Sequence, residues 1–226
     1  MMKDFTFRSA TLPDLEELVA LEKAVEAALP SREMFAIDEA EFYEPIIAGA
    51  GHILLAFDDE QKLAGASVIR YPSADDAENL GLSVGLCGRD LLRVRHAESI
   101  FIRPDCGSRG LAGRMLRDNL RLTEASGRDL AFATVWPLNI PSLKLHLSCG
   151  FHIRAFALKY GGRPRFILMD APGKMLFSEE THYAAAGDLE GHKELLARGM
   201  AGTGCRATPE GETLIEYRRI LGTDAS

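Results

Sequence analysis

A glycine-rich turn in the middle of the chain has the composition of a phosphate-binding site. Alternating polar and apolar residues predict a strand from Val94 to Ile102 that stops at Pro104, and the turn follows from Cys106 to Gly113. Apolar residues at helical spacing then predict a helix from Leu111 to near Ser126. The start of a helix exposes unpaired backbone N–H groups at the positive end of the helix dipole. The turn is therefore predicted to bind phosphate.

The spacing of the glycines excludes two common phosphate-binding turns. A P-loop needs the pattern GxxxxGK[ST], but five positions after Gly107 the chain has Ala112 followed by Gly113, and no lysine. A dinucleotide-binding turn needs a second glycine where Arg109 stands, and it follows the first strand of its sheet. An ordinary loop at the start of a helix remains the alternative if the turn is considered alone.

The strand before the turn carries two groups that could transfer a proton. His96 and Glu98 are two positions apart, so a regular strand places them on one face together with Ile100. Either side chain could act as a general base. The alternative is structural: Glu98 would pair across strands with Arg93 or Arg95, and His96 would be a hydrogen-bonded strand residue.

The composition is that of a globular chain that neither binds nucleic acid nor spans a membrane. The chain has 226 residues, 46% hydrophobic and 26% charged, which fits one large domain or one domain with an appendix. Its net charge of −7 disfavours non-specific binding to nucleic acid. The longest stretch without a charge, Leu130 to Leu143, is shorter than the about 20 apolar residues that a membrane span needs.

The N-terminal residues and the cysteines bear on the compartment. Met1 to Phe5 lacks the basic flank and apolar run of a secretory signal, which predicts a cytoplasmic protein. The four cysteines are far apart, without a CxxC pair or a histidine at zinc-finger spacing. We therefore expect reduced thiols and no metal site.

Strand and helix patterns alternate along the rest of the chain. A strand over Phe5–Ser9 precedes a helix that begins at Thr11. The following predicted elements are a short helix near Glu39–Ile47, a hairpin of His52–Phe57 with Leu63–Tyr71, a surface insertion over Pro72–Leu92, a strand over Asp129–Trp136, a helix over Ile140–Ser148 and a strand pair over Phe151–Leu158 and Arg165–Met169. A helix between the strands that end at Ile102 and Trp136 implies a right-handed parallel crossover.

The segment after Pro172 is a polar appendix with one predicted helix, Asp188 to Arg198, and one predicted strand, Thr213 to Arg219. Its apolar stripe needs a surface to bury against, so we expect the appendix to pack on the rest of the chain. The predicted fold class is α+β, with a mixed, mostly antiparallel twisted sheet flanked by helices and a C-terminal α/β appendix. The predicted domain organisation is a main domain of residues 1–171 and the C-terminal appendix of residues 172–226.

Two motifs at matching separation resemble those of the GNAT acetyltransferases. The first resembles the family's acyl-CoA-binding motif and consists of Ile102-x-Pro104, Gly107-x-x-Gly110-x-Ala112 and Met115-Leu116. The second resembles the family's N-x-x-A-x-x-x-Y-x-x-x-G-F and reads Asn139-x-x-Ser142-x-x-x-His146-x-x-x-Gly150-Phe151. The resemblance covers about residues 4 to 171, and it depends on both motifs together. Two positions depart from the pattern: Gly107 stands where the family has Gln or Arg, and His146 where it has Tyr.

The resemblance implies a domain that binds acetyl-CoA as co-substrate. In the family, the pantetheine arm pairs with the strand backbone, here Ile100, Phe101 and Ile102, where two neighbouring strands splay apart. The turn then holds the pyrophosphate through backbone donors that do not depend on the side chain at Gly107. The implied cofactor-binding residues of the turn are Gly107, Ser108, Arg109, Gly110, Leu111, Ala112 and Gly113, with Asn139 as helix cap near the cofactor.

The resemblance also implies an N-acyltransferase in which an amine attacks the thioester directly in a ternary complex. Attack needs a neutral amine and therefore a base, for which His96 and Glu98 stand at the family's positions. His146 stands where the family's tyrosine would protonate the departing thiolate. The acceptor would be a primary amine of a small molecule, peptide or protein, and homodimers are common in the family. A non-catalytic module that binds acyl-CoA or acts through protein contacts remains the alternative, and the acyl group could be other than acetyl.

Overall fold

A computed structural model describes residues 5–31, 39–107 and 110–224. These residues form ten strands and five α-helices. The strands are β1 (Thr6–Ser9), β2 (Gly51–Phe57), β3 (Leu63–Arg70), β4 (Val94–Ile102), β5 (Leu130–Val135), β6 (His152–Lys159), β7 (Arg163–Asp170), β8 (Lys174–Ala185), β9 (Met200–Ala207) and β10 (Thr213–Asp224). The helices are α1 (Leu15–Ala28), α2 (Ala40–Pro45), α3 (Leu111–Leu122), α4 (Ile140–Ser148) and α5 (Leu189–Ala197). No helix among the described residues is long and apolar enough to cross a bilayer.

All ten strands join one sheet in the order β1-β2-β3-β4-β5-β7-β6-β9-β10-β8. The pairing of β4 with β5 is parallel and α3 connects the two, as the sequence predicted. The other described pairings are antiparallel. The predicted fold class, a mixed and mostly antiparallel sheet flanked by helices, is confirmed.

The helices cover both faces of the sheet. Leu18 and Leu21 of α1 and Tyr43 of α2 pack on the face that carries Val68 and Phe101. The opposite face has a larger core, in which Leu116 of α3, Leu143 of α4 and Leu195 of α5 belong to one cluster. The sheet is therefore buried on both sides, which matches the many strand residues without exposed surface.

The C-terminal residues contain three strands, not the one strand predicted. Besides α5 and β10, the segment holds β8 and β9, and β9 continues the sheet next to β6 through the pair Ile153 and Gly202. A Cβ at position 202 would lie 2.6 Å from Cδ1 of Ile153, so a glycine allows this approach. Ile215 and Tyr217 of β10 share a core cluster with Ile153 and Phe166. The division at residue 171 stays a prediction.

The segment from Pro72 to Leu92 is not the solvated insertion that its charges suggested. It contains two 3₁₀ turns, Leu80–Val84 and Gly88–Arg93, and it buries Leu80 and Leu91. The amide of Asn79 donates hydrogen bonds to the backbone oxygens of Ser73 and Leu91. The segment is therefore fixed by its own buried contacts.

A buried histidine links α5 to β10 at the centre of the C-terminal segment. Nε2 of His192 donates to the backbone oxygen of Ala186 (3.2 Å), and Nδ1 accepts from the Tyr217 hydroxyl (3.0 Å). The imidazole also packs edge-on against Phe166, with ring centroids 4.8 Å apart. Burial lowers the pKa of His192 and outweighs the hydrogen bond to Ala186, so the folded chain keeps this ring neutral.

We expect the fold to become less stable as the pH is lowered, because of His192. The unfolded chain takes up a proton near pH 6.5, whereas the folded chain stays neutral, so this stability is complete above about pH 6.5 and is lost below it. His192→Phe should flatten the pH dependence by up to about 1.4 kcal/mol per pH unit. Tyr217→Phe should cost about 1–3 kcal/mol and keep the slope, because it leaves the histidine with an unpaired nitrogen. Urea unfolding at pH 7.5, 6.5 and 5.5 measures both, and equal slopes in the two variants would contradict the assignment.

Candidate active site

A β-bulge interrupts the pairing of β3 with β4 at Glu98. Val68 pairs with Ser99 and Ile69 pairs with Ala97, which leaves Glu98 as the extra residue of β4. A shift of one residue transfers the following side chains to the other face of a sheet. The bulge therefore changes the direction of β4 within its length.

The bulge makes the predicted shared face of His96 and Ile100 wrong. His96 pairs with Arg70, and Ile100 pairs with Ser67. Residues 67 and 70 of β3 lie on opposite faces because they are three positions apart. His96 therefore faces the side of α1, and Ile100 faces the side of α3, where it packs against the large core.

The strands β4 and β5 separate directly after His96. Their pairs are Val94 with Leu130, Arg95 with Ala131 and His96 with Phe132, although β4 continues to Ile102 and β5 to Val135. The backbone of β4 from Ile100 to Ile102 pairs with β3 on one edge. Its other edge faces the opening, as the resemblance implied.

A cleft of about 1030 Å³ occupies the opening between the two strands. Most of the predicted cofactor-binding residues line it, namely Ile100, Phe101, Ile102, Gly107, Gly110, Leu111, Ala112, Gly113 and Asn139. The predicted residues Ser108 and Arg109 lie outside the described residues. The predicted catalytic residues His96, Glu98 and His146 line the same cleft. The three-dimensional structure thus brings together residues from three separate parts of the sequence.

The glycine turn opens directly into the first turn of α3. Gly110 precedes the helix in the left-handed region, at φ +72°, which glycine adopts without strain. The first turn of α3 contains no acidic side chain. The backbone N–H groups at this end of α3 are therefore suited to an anion in the cleft.

Arg70 holds the carboxylate of Glu98 in place. Nε of Arg70 donates to Oε1 of Glu98 (2.5 Å), and Nη1 donates to Oδ2 of Asp76 (2.7 Å). The alternative partners considered from the sequence are engaged elsewhere: Arg93 pairs with Asp129, and Arg95 donates to the backbone oxygen of Leu120. The cross-strand ion pair of Glu98 exists, but its cation comes from β3, the neighbouring strand.

His96 contacts protein groups through both of its ring nitrogens. The N–H of Leu80 donates to Nε2 of His96 (3.0 Å). Nδ1 is 3.2 Å from Oε1 of Glu98, to which it donates when it carries the ring proton, and 3.0 Å from Nη2 of Arg70. Both ring nitrogens are thus engaged within the protein, and His96 orients Glu98.

Glu98 is ionised at neutral pH despite its burial. Burial raises the pKa of this carboxyl group, but the hydrogen bond from His96 and the guanidinium of Arg70 lower it further, and the net pKa is below the usual value. Oε1 receives these bonds, and the side chain lines the cleft. The site therefore contains a preorganised carboxylate at the bulge.

His146 is buried and neutral. It lies in the last turn of α4, and it is 6% exposed. Burial lowers its pKa and outweighs the hydrogen bond in which Nδ1 donates to the backbone oxygen of Ser142 (2.9 Å). Nε2 is therefore the unprotonated nitrogen. Asn139 caps α4, as expected, through a bond from the Ser142 N–H (3.2 Å).

Tyr160 is a cleft residue that the sequence reasoning missed. It lies between β6 and β7 with φ +52°, directly before Gly161 and Gly162. Its hydroxyl is 3.0 Å from Oγ1 of Thr134 on β5, and burial is the main reason why its pKa is raised. The β6–β7 turn reaches the cleft because β7 is the neighbour of β5 in the sheet. The glycine pair signalled a turn, but only the strand order places that turn at the site.

Part of the cleft wall is apolar. Its residues are Val25 of α1, Leu29 and Pro30 directly after α1, and Phe42 of α2. Glu78 and Arg165 add polar groups to the lining. Among the described residues, no group of three or more His, Cys, Asp or Glu side chains is arranged to bind a metal ion.

Comparisons with known proteins identify the fold. No family model and no curated protein sequence matches the chain. A GNAT-family acetyltransferase from Streptococcus pneumoniae matches with a TM-score of 0.59 and 20% identity over 75% of this chain and 100% of that chain. A phosphinothricin acetyltransferase from Sinorhizobium meliloti, in complex with AcCoA, gives 0.54 and 15% over 76% and 89%. Ribosomal-protein-S5-alanine acetyltransferase from Vibrio fischeri gives 0.56 and 12% over 76% and 94%.

The chain thus has the fold of these acetyltransferases. The similarity extends over about three quarters of the chain and nearly the whole length of the solved structures.

Proposed function

We propose that the protein is an acetyl-CoA-dependent N-acetyltransferase that acts on a primary amine. The observation that carries this proposal is the cleft between β4 and β5, which contains both the glycine turn and the ionised Glu98. The start of α3 would hold a pyrophosphate, and the apolar part of the lining would contact an acceptor. We include in the proposal a cytoplasmic location and a homodimer, which the sequence suggested.

The cofactor would bind through backbone groups. N–H groups of the turn and the first turn of α3 would hold the pyrophosphate, and the edge of β4 that lines the cleft would pair with the amides of the pantetheine arm. The solved neighbour from Sinorhizobium meliloti contains AcCoA, which supports this choice of ligand. The absence of a Gln or Arg side chain at Gly107 removes one contact but none of the backbone donors.

Glu98 would act as the base. The acceptor amine must lose a proton to attack the thioester, and the ionised carboxylate of Glu98 would accept that proton directly or through a water molecule. The amine then forms a C–N bond with the acyl carbon, and the C–S bond breaks. His96 would be a positioning residue, because neither of its nitrogens is available to the amine.

Tyr160 would protonate the departing thiolate. Its raised pKa keeps the hydroxyl protonated, and Thr134 orients it in the cleft. His146, the acid that the resemblance suggested, would have to carry a second proton in a buried position. We therefore propose that His146 forms the wall of the cleft and fixes α4 through Ser142.

Gly110→Asp should abolish binding of CoA. The substitution adds a carboxylate where the phosphates approach, and it strains a residue with φ +72°. We expect a loss of affinity of about 100-fold or more, equal to several kcal/mol. Gly127→Asp is the matched control, because Gly127 is also left-handed (φ +74°) but does not line the cleft. Calorimetry measures the affinity of the two variants for CoA and acetyl-CoA. A wild-type protein that binds neither ligand would refute the proposed cofactor.

Glu98→Gln should lower kcat about 10²–10⁴-fold with little change in CoA affinity. His96→Gln should lower kcat less and move the acidic limb of the pH–rate profile to higher pH, because the hydrogen bond from His96 lowers the pKa of Glu98. Glu78→Gln, at a more exposed glutamate of the cleft, is the control. Thiol release from acetyl-CoA with a panel of amines and peptides is the assay. CoA binding without thiol release from any acceptor would favour the non-catalytic module.

A comparison of Tyr160→Phe with His146→Phe should identify the acid. We expect kcat to fall about 10²-fold or more in the tyrosine variant and to change little in the histidine variant. CoA affinity serves as the test of folding for each. The reverse result would assign the proton to His146.

A further inference from the structure

Three polar residues from distant parts of the chain meet at the outer edge of the sheet, away from the cleft. Oγ of Ser9 on β1 is 2.8 Å from Nε2 of His52 on β2. Nδ1 of His52 is 2.7 Å from Oδ1 of Asn119 on α3. None of the three lines the cleft described above. They form a chain of hydroxyl, imidazole and amide.

The buried amide sets the direction of both hydrogen bonds. Nδ2 of Asn119 donates to the backbone oxygen of Ser67 (2.7 Å), so Oδ1 is the atom that faces His52. An oxygen can only accept, and therefore Nδ1 of His52 carries the proton. Nε2 is then unprotonated and accepts the hydrogen bond of the Ser9 hydroxyl. If the amide group of Asn119 were rotated by 180°, its Oδ1 would face the backbone oxygen of Ser67, and two acceptors cannot form a hydrogen bond. The opposite assignment of the amide oxygen and nitrogen is therefore excluded.

This polarity is that of an activated serine nucleophile. A neutral histidine that accepts from the serine, and whose other nitrogen is held by a third group, is the arrangement of Ser-His-Asp and related triads. Asn119 is completely buried and is fixed by α3, whereas Ser9 is exposed. The nucleophile is thus accessible, and the group that orients the base is rigid.

The backbone of Ser9 supplies a donor for an oxyanion. The N–H of Ala10 donates to the oxygen of Ile53 on β2 (2.9 Å). Successive N–H groups of a strand point in opposite directions, so the N–H of Ser9 points away from β2. Since β1 is the terminal strand of the sheet, that N–H faces the open edge beside its own hydroxyl. The N–H of the nucleophile is a typical oxyanion donor.

We propose that Ser9, His52 and Asn119 form a second reactive site, at which Ser9 is acylated by small activated acyl esters. Oγ of Ser9 forms a bond with the acyl carbon while its proton passes to Nε2 of His52. The bond from the acyl carbon to the leaving alcohol then breaks, and His52 returns the proton to that alcohol. A water molecule, deprotonated by His52, then forms a bond with the acyl carbon, and the bond from that carbon to Oγ of Ser9 breaks. His52 returns the proton to Oγ, and the acyl group leaves as a carboxylic acid. The exposed position of Ser9 makes its hydroxyl accessible to esters in solution.

The test is acylation of the full chain by p-nitrophenyl acetate, with mass spectrometry of the labelled peptide. We expect one acetyl group on Ser9, no label there in Ser9→Ala, and labelling that is slower by about 10²–10⁴-fold in His52→Gln. Ser126→Ala is the matched control, because Ser126 is an exposed serine that donates only to the backbone oxygen of Thr123. Absence of label on wild-type Ser9, or an equal rate in His52→Gln, would overturn the proposal.

Imidazole in solution gives a second measurement that a merely structural role would not satisfy. In His52→Ala, added imidazole should restore labelling of Ser9, because it replaces the missing base. Failure of that rescue in a variant with unchanged melting temperature would also overturn the proposal. CoA affinity of Ser9→Ala should equal that of the wild type, so this site and the proposed acetyltransferase site can fail independently.

Discussion

The separation of β4 from β5 is the constraint on which the candidate site depends. Two parallel strands that stayed paired along their length would close the space that the cleft occupies. The bulge at Glu98 interrupts the pairing of β4 on its other side, close to the point at which pairing to β5 ends. Regular pairing of β4 with β3 and with β5 is thus interrupted near the same residue, Glu98. The result is one strand edge and one carboxylate that both line the cleft.

The ionised carboxylate at this point requires compensation from several elements. A buried charge is costly unless it is paired and hydrogen-bonded. Arg70 of β3 pairs with both Glu98 and Asp76, and the Leu80 N–H fixes the ring of His96 that donates to Glu98. Asp76 and Leu80 belong to the segment between β3 and β4, so that segment is part of the site's electrostatics. Its buried turns provide the rigidity that this role requires.

The C-terminal strands extend the same sheet and share its core. Ile215 and Tyr217 pack in one cluster with Phe166 and Ile153, and Phe166 pairs with Val135 at the end of β5. The hydrogen-bonded pair of His192 and Tyr217 lies within this core. The C-terminal strands therefore share a hydrophobic core with β5, one of the two strands beside the cleft. The solved GNAT structures resemble about three quarters of this chain, so their shared fold does not include all of it.

The sequence by itself determined the features that depend on neighbouring residues. The hairpin of β2 and β3, the strand that ends before Pro104, the glycine turn and the cap at Asn139 follow from periodicity and turn chemistry within about ten residues. The two motifs then indicated a fold that the comparisons support. Most of the predicted cofactor residues could be named in this way because they lie within one contiguous turn and strand.

Tertiary structure alone decided the contacts between residues that are far apart in the sequence. Four sets of contacts depend on the register and order of the strands: the partner of Glu98, the partners of His96, the approach of Tyr160 to Thr134 and the hydrogen bonds from Ser9 to Asn119. Periodicity assumes a regular strand, and the bulge at Glu98 breaks that assumption by one residue, which reverses the face of every side chain beyond it. Local patterns carry no information about such a shift, because it is set by packing on both faces of the sheet.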